Sequence, residues 1–323
     1  MEADRKFKAA ILFEQNQPLV VEEICFKSSL KVGQVLVKLH ESGICGSQLG
    51  EIKGVKGRDK YLPHLLGHEG CATVLEVGPG VDNVKPDDLV VLHWKPGKGI
   101  QSATPEYFLN NKRINAGWVT TFNTKAIVSE NRCTKIPKET NHSLATMFGC
   151  AITTAFGVVE NNAHLKMGES VVVYGAGGIG LNIIQASSLR SAYPIIAVDL
   201  FENRLNLASE LGASHIINAS KSDLDVKKEI KKALDNYQLD CFIDNTGIPS
   251  IIELGYEMIS SDGRVVLVGV PRIGSNINIY SLQLHFGKKL IGSHGGEAMP
   301  ELDIKRFLKL FNNNIYLIDA TLQ

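Results

Sequence analysis

The stretch SVVVYGAGGIG, Ser170–Gly180, runs from an apolar segment straight into a glycine-rich turn. Val171, Val172, Val173 and Tyr174 read as a short buried strand. Gly175, Gly177 and Gly180 then fit G-x-G-x-x-G, with Gly178 and Ile179 between the last two. The first glycine allows a tight turn, the second lets the backbone approach a pyrophosphate, and the third lets helix and strand pack closely. A helix opening near Ile179 would turn its free N–H groups and dipole toward those phosphates. Asp199 ends the next apolar run, about 20 residues on, where a carboxylate accepts hydrogen bonds from an adenosine ribose. Leu200 and Phe201 follow with no adjacent arginine to meet a 2′-phosphate, so NAD is expected rather than NADP. Arg204 is assigned to the adenosine end, with an ordinary surface arginine as the alternative.

Outward from this turn, strands and helices alternate. PIIAVDL precedes the helical ENRLNLASELG; HIIN precedes a lysine-rich helix; DCFIDNTG precedes SIIELGYEMIS; GRVVLVGV and KKLIGS follow. Near-continuous apolar strands between helices predict a parallel sheet covered on both faces. Before residue 131 the pattern differs. KAAILF, QPLVVEEI, QVLVKLH, CATVLEVG, LVVLH and TKAIVSE are short β segments between glycine and proline turns, which predicts a mostly antiparallel domain shaped as a distorted barrel. Asn141 is the expected N-cap of the helices that join the two halves.

The 323 residues suffice for two domains. Lys+Arg and Asp+Glu both number 34, so the balanced charge gives no general attraction to nucleic acid or to an anionic membrane. No apolar run reaches the roughly 18 residues of a membrane span, and MEADRKFKAA has no signal-peptide core, so a soluble cytoplasmic protein is expected. Six scattered cysteines make metal ligands or reactive thiols more natural than a disulfide scaffold.

Three segments offer metal donors: GICGS with Cys45, GHEG with His68 and Glu69, and FGCAITTAFG with Cys150. Two thiolates and one imidazole leave a fourth tetrahedral position open on a catalytic zinc. Spacing alone does not group them, and each taken singly also reads as a packed residue.

GICGS, GHEG with the following VLEVGPGV, GCAITTAFG and GAGGIGL with the later VD occur in the order and at the approximate distances found in the medium-chain, zinc-dependent alcohol dehydrogenase family. The chain resembles that family over nearly its whole length. The resemblance implies an α/β protein with a GroES-like, mostly antiparallel catalytic domain over residues 1–151. A doubly wound Rossmann domain over residues 152–294 would bind NAD, and residues 295–323 would return to the first domain. It implies Cys45, His68 and Cys150 as ligands of one catalytic zinc, with Glu69 behind the metal. Ser47 would bond the substrate oxygen and begin a proton relay. Val268, Gly269 and Val270 would meet the nicotinamide through their backbone, and Trp94 falls near the substrate pocket, where core packing explains it equally well. The activity implied is hydride transfer between NAD and a primary or secondary alcohol, polyols and sugar-like compounds included. NINIYSLQLHF resembles the edge through which members dimerise, so a homodimer or homotetramer is expected.

Three departures bear on these expectations. Gln48 stands where the family commonly has an aspartate that holds the ligand histidine; its amide oxygen is expected to accept the imidazole N–H without charge. Gly50 stands where many members carry a relay histidine. Four closely spaced cysteines that bind a structural zinc in many members are missing from LHWKPGKGIQSATPEYFLNNKRINAGW, so no structural zinc is expected. Family chains continue beyond the segment that ends here at Gln323, to a strand that completes the catalytic domain, so the expectation is either a truncated chain or a fold that closes differently. The competing assignments are a zinc-free quinone or enoyl-type reductase of the same superfamily, and a non-catalytic NAD-binding protein.

Overall fold

The computed structural model describes residues 5–312 apart from Lys56 and residues 222–224. The chain divides into two units, Met1–Cys150 with Met299–Lys309, and Ala151–Ala298 with Leu310–Gln323.

Among the described residues the first unit has ten strands: β1 (Lys6–Leu12), β2 (Val20–Cys25), β3 (Gln34–Ser42), β4 (His64–Leu65), β5 (Gly70–Val77), β6 (Leu89–Leu92), β7 (Tyr107–Leu109), β8 (Lys112–Ile114), β9 (Lys125–Ser129) and β10 (Cys133–Lys135). They form two antiparallel sheets, ordered β4-β1-β2-β7-β8 and β10-β6-β5-β3-β9. Alternation decides which face is buried. In β1, Phe7, Ala9 and Ile11 point into the core while Lys6 and Lys8 face outward. Those three pack with Ile24, Phe26, Tyr107 and Ile127, and a second cluster gathers around Val35, Val37, Val74 and Val90. Among the described residues before Cys150 this unit also holds two short helices, α1 (Gly46–Ile52) after β3 and α2 (His142–Met147), and the Asn141 side chain accepts from Leu144 N–H at 3.0 Å as expected of an N-cap.

The cysteine-free stretch between β6 and β9 is more regular than its polar sequence suggests. Asn110 and Asn111 adopt left-handed φ of 49° and 65° and close β7 and β8 into a hairpin. The buried Glu130 carboxylate ties this region together. Its Oε1 accepts from Asp82 and Asn83 N–H at 2.8 and 2.9 Å, and its Oε2 accepts from Ile100 N–H at 2.7 Å. Burial pushes the Glu130 pKa up, but these donors outweigh it and hold the pKa below the usual carboxylate value. The folded-state pKa is therefore depressed, so Glu130 stabilises the fold above its unfolded pKa of about 4.3 and that contribution is lost as pH falls through the folded pKa. Glu130→Ala is expected to cost about 3 kcal/mol in urea unfolding at pH 7, because three part-buried N–H groups lose a charged acceptor. The deficit should shrink on acidification, and a cost below about 1 kcal/mol would deny Glu130 this role.

The second unit is a six-stranded parallel sheet, with β11 (Val171–Tyr174), β12 (Ile195–Asp199), β13 (His215–Asn218), β14 (Cys241–Asp244), β15 (Arg264–Leu267) and β16 (Lys289–Gly292) in the order β13-β12-β11-β14-β15-β16. Counted from β11 this is the 3-2-1-4-5-6 order of a doubly wound sheet. The α/β architecture read from the sequence is the one the chain adopts. Helices α3 (Ala151–Gly157), α4 (Gly178–Leu189), α5 (Glu202–Glu210), α6 (Val226–Leu234), α7 (Pro249–Met258) and α8 (Leu282–His285) belong to this unit. The lysine-rich α6 has the N-cap its sequence offers, with the Asp225 carboxylate accepting from Lys228 N–H at 3.1 Å. Strand order reverses between β11 and β14, the position at which open α/β sheets bind ligands. A last helix, α9 (Pro300–Asn312), follows; residues 313–323, the end of the segment expected to return to the first domain, lie outside the described residues. Among the described residues no helix is long and apolar enough to cross a membrane.

Candidate active site

The metal donors are brought together where two neighbouring strands of one sheet end and begin. Ser42 at the end of β3 pairs with Gly70 at the start of β5, and Gly43 N–H donates to Glu69 O at 3.1 Å. Cys45 therefore lies just beyond one strand and His68 just before its neighbour. A register shift between Leu39 and Glu41 bends β3 immediately before this point. Cys150 arrives from the other direction, three residues after α2. Its neighbour Gly149 makes that approach possible: a Cβ there would lie 2.4 Å from Leu92 O and 2.6 Å from Glu69 Cβ.

The result is a Cys₂His cluster in which Cys45, His68 and Cys150 offer donor atoms all within 4.8 Å of one another. Spacing in the sequence did not group these residues, but the fold does. His68 Nε2 is buried with no hydrogen bond of good geometry, the condition of a donor atom that lacks its acceptor or its metal. A hydrogen bond from Cys150 is the main reason the Cys45 pKa falls to about 3; burial opposes the fall, and His68 and both the hydroxyl and the backbone N–H of Ser47 reinforce it. Burial of the His68 ring disfavours its charged form, but the Cys45 thiolate and the carboxylates of Glu69 and Glu51 outweigh this and raise its pKa. Two sulfurs, one poised as thiolate, and a converging imidazole nitrogen are a donor set that fits zinc. Glu69 is buried at the base of the cluster, against Gly43 and Gly149.

Behind His68 the contacts differ from those read in the sequence. The oxygen of Gln48, expected to accept from the imidazole, instead accepts from Gly67 N–H at 2.5 Å. The Gln48 amide nitrogen faces His68 Nδ1 at 3.1 Å and Glu51 Oε2 at 3.4 Å. Gly50 lies on α1 and offers no side chain for a proton relay.

In the second unit, the turn after β11 is shaped as the glycine pattern requires. Gly175 has a φ of 94°, and a Cβ on Gly180 would lie 1.9 Å from Gly175 O, so only glycine lets α4 start this close to β11. A Cβ on Gly177 or Gly178 would meet nothing within 4 Å. The backbone there borders open space at the start of α4, a cradle that fits a pyrophosphate. Asp199 closes β12 beneath the turn, with Oδ2 accepting from Ala176 N–H at 2.7 Å and Oδ1 from Phe201 N–H at 3.0 Å. Arg204 Nη1 is 3.8 Å from Asp199 Oδ2, and its guanidinium lies 4.7 Å from the centre of the Phe201 ring.

Two residues that the sequence did not single out support this end of the sheet. Asp244 O accepts from Val268 and Gly269 N–H at 2.8 and 2.9 Å. The Asp244 carboxylate accepts from the N–H groups of Thr246 and Gly247, and from the Thr246 hydroxyl at 2.6 Å. Asn245 Nδ2 donates to Gly175 O at 3.2 Å, bracing the glycine turn from β14. Their signal was available: an acid and an amide ending the apolar strand that neighbours the first turn of a parallel sheet. Trp94 follows β6 in the first unit, and its carbonyl accepts from the Arg132 guanidinium.

Comparison with known proteins matches residues 31–138 to the alcohol dehydrogenase GroES-like domain and residues 178–313 to the zinc-binding dehydrogenase family. An S-(hydroxymethyl)glutathione dehydrogenase of Photobacterium damsela subsp. piscicida is 30% identical, over 90% of this chain and 85% of its own length. Among solved structures, an alcohol dehydrogenase zinc-binding domain protein from Burkholderia ambifaria is 27% identical, with a TM-score of 0.86 over 96% of this chain and 90% of its own. Benzyl alcohol dehydrogenase from Acinetobacter calcoaceticus has the same identity and coverage at a TM-score of 0.85.

Proposed function

This chain belongs to the zinc-dependent alcohol dehydrogenase family of medium-chain dehydrogenases, and on that premise we propose that it transfers hydride between an alcohol and NAD, with Cys45, His68 and Cys150 holding one catalytic zinc. The observation that carries this assignment is the convergence of two sulfurs and an unpartnered, buried imidazole nitrogen in one cluster. Bound there, zinc would act as a Lewis acid toward the alcohol or carbonyl oxygen, and the nicotinamide would exchange hydride with the carbon that bears it.

The chain's own residues do the rest. Ser47, beside Cys45, takes the proton that an alcohol releases on oxidation and returns it on reduction. Gly50 cannot continue the relay, so the proton passes from Ser47 to water. Glu69 places a carboxylate against the cluster, within electrostatic reach of His68. Gly175, Gly177, Gly178, Ile179 and Gly180 present backbone to the coenzyme pyrophosphate, Asp199 binds the adenosine ribose, and Arg204 lies at the same end. Asp244 holds Val268 and Gly269, and with them Val270, in place for the nicotinamide.

The substrates are small alcohols and carbonyl compounds. The cysteine-free lobe tied by Glu130 supports a count of one zinc per chain. An exposed run, with Tyr280, Leu282, Leu284 and Phe286 largely open to solvent ahead of edge strand β16, supports a homodimer or homotetramer.

A screen of primary, secondary and polyhydroxy alcohols with NAD, followed by NADH absorbance, tests the activity. Turnover of at least one class is expected, and none across the panel with zinc-loaded protein would overturn it. The glycine turn gives a sharper test. Gly177→Val adds a side chain into open space, so unfolding should be unchanged while NADH binding weakens about 10-fold or more, since a bulky group sits where the phosphates lie. Gly180→Ala collides with Gly175 O and should destabilise the unit itself. Equal effects of the two variants on stability and on binding would contradict the placement of the coenzyme.

A further inference from the structure

Gln48 is buried, and all of its hydrogen-bonding groups are committed. Its oxygen is fixed by Gly67 N–H at 2.5 Å, a backbone donor that cannot turn away. The amide nitrogen must therefore be the atom that meets His68 Nδ1 at 3.1 Å, and its other hydrogen points to Glu51 Oε2 at 3.4 Å. Two independent neighbours, one donor and one acceptor, fix the same orientation of the carboxamide.

That orientation has a consequence for the ring. An amide N–H can donate only to a bare Nδ1, and a neutral imidazole with a bare Nδ1 carries its proton on Nε2. Nε2 is the nitrogen on the side of Cys45, within the cluster. A metal ligand needs the opposite tautomer, with Nε2 bare and Nδ1–H donating to an acceptor behind it. Metal binding in this chain must therefore turn the Gln48 carboxamide over, which sets its NH₂ against Gly67 N–H and its oxygen against the Glu51 carboxylate. Otherwise Nδ1–H remains opposed to a donor.

We propose that Gln48 is a positioning residue that selects the Nε2-protonated tautomer of His68 and so makes the Cys45–His68–Cys150 cluster a weak, readily emptied metal site. The proposal rests on the zinc assignment above and deepens it. An acceptor in place of the amide nitrogen relieves the conflict. Gln48→Asp supplies one oxygen for Gly67 and one for His68. Gln48→Glu combined with Glu51→Gln does so at full side-chain length, with the amide moved to residue 51.

Two measurements on the full chain at pH 8 test this: ring ¹⁵N NMR of His68 in metal-free protein, and zinc affinity by competition with a chromophoric chelator. In the wild type the His68 proton is expected on Nε2. In both variants it is expected on Nδ1, with zinc bound about 10–100-fold more tightly. A wild-type ring protonated at Nδ1, or equal zinc affinity in the wild type and in whichever variants fold, overturns the role of Gln48 and leaves the zinc assignment standing. Failure of every form to bind zinc overturns the zinc assignment and this proposal together.

Discussion

Cys45→Ala and His68→Ala should each lower alcohol turnover by about 10³-fold or more, since the several kcal/mol of charge stabilisation that a bound metal supplies is lost. Neither side chain contributes to the turn after β11, so NADH affinity, read by fluorescence, should change little. The split is informative because the donors and the glycine turn fall in different units of the chain. A general loss of folding would reduce both readouts; loss of the metal reduces one. Cys45→Ala is the cleaner variant, because it alters a partly exposed cysteine, whereas His68→Ala also removes the ring that meets the buried Gln48 amide nitrogen. Turnover within about tenfold of wild type in Cys45→Ala would remove zinc from the account.

Asp199→Ala should weaken NAD binding by about 10–100-fold, the effect of losing one or two charge-assisted hydrogen bonds. NADP should lose less, because a carboxylate at this position repels a 2′-phosphate as well as binding a 2′-hydroxyl. The structure adds a second contribution. Asp199 also accepts from Ala176 and Phe201 N–H, so the alanine variant loosens the glycine turn. That part falls equally on both coenzymes. Asp199→Asn separates the two: it keeps one acceptor and removes the charge, so it should shift the NAD to NADP ratio while sparing the turn more than alanine does. Equal losses for both coenzymes in both variants would leave Asp199 a structural residue.

What could be read in the sequence depended on distance along the chain. The dinucleotide turn was legible because Gly175, Gly177, Gly180 and Asp199 lie within one strand–helix–strand passage, where glycine geometry and apolar runs carry the information locally. The metal cluster was not legible from spacing. Cys45, His68 and Cys150 meet only because β3 pairs with β5 and the chain returns to these strands through α2, and resemblance to a family supplied the grouping. The hairpin β7–β8 has no signature in the sequence, since three-residue strands such as Tyr107–Leu109 are too short to display alternation. The family resemblance sets Gln48 behind His68, but the sequence does not reveal which way its carboxamide turns. The competing donor, Gly67 N–H, is a backbone group that side-chain identities do not reveal. The roles of Asp244 and Asn245 are silent in the sequence for a similar reason, as both residues act on backbone atoms of Val268, Gly269 and Gly175.

The most direct test of the account is the amount of zinc bound per chain. The protein is dialysed to equilibrium against buffered micromolar free zinc, and its metal content is then measured by elemental mass spectrometry. About one zinc per chain is predicted for the wild type, as expected of a single Cys₂His site with an open position. Close to none is predicted for Cys45→Ala. No bound zinc in the wild type, or the same amount in both proteins, would contradict it.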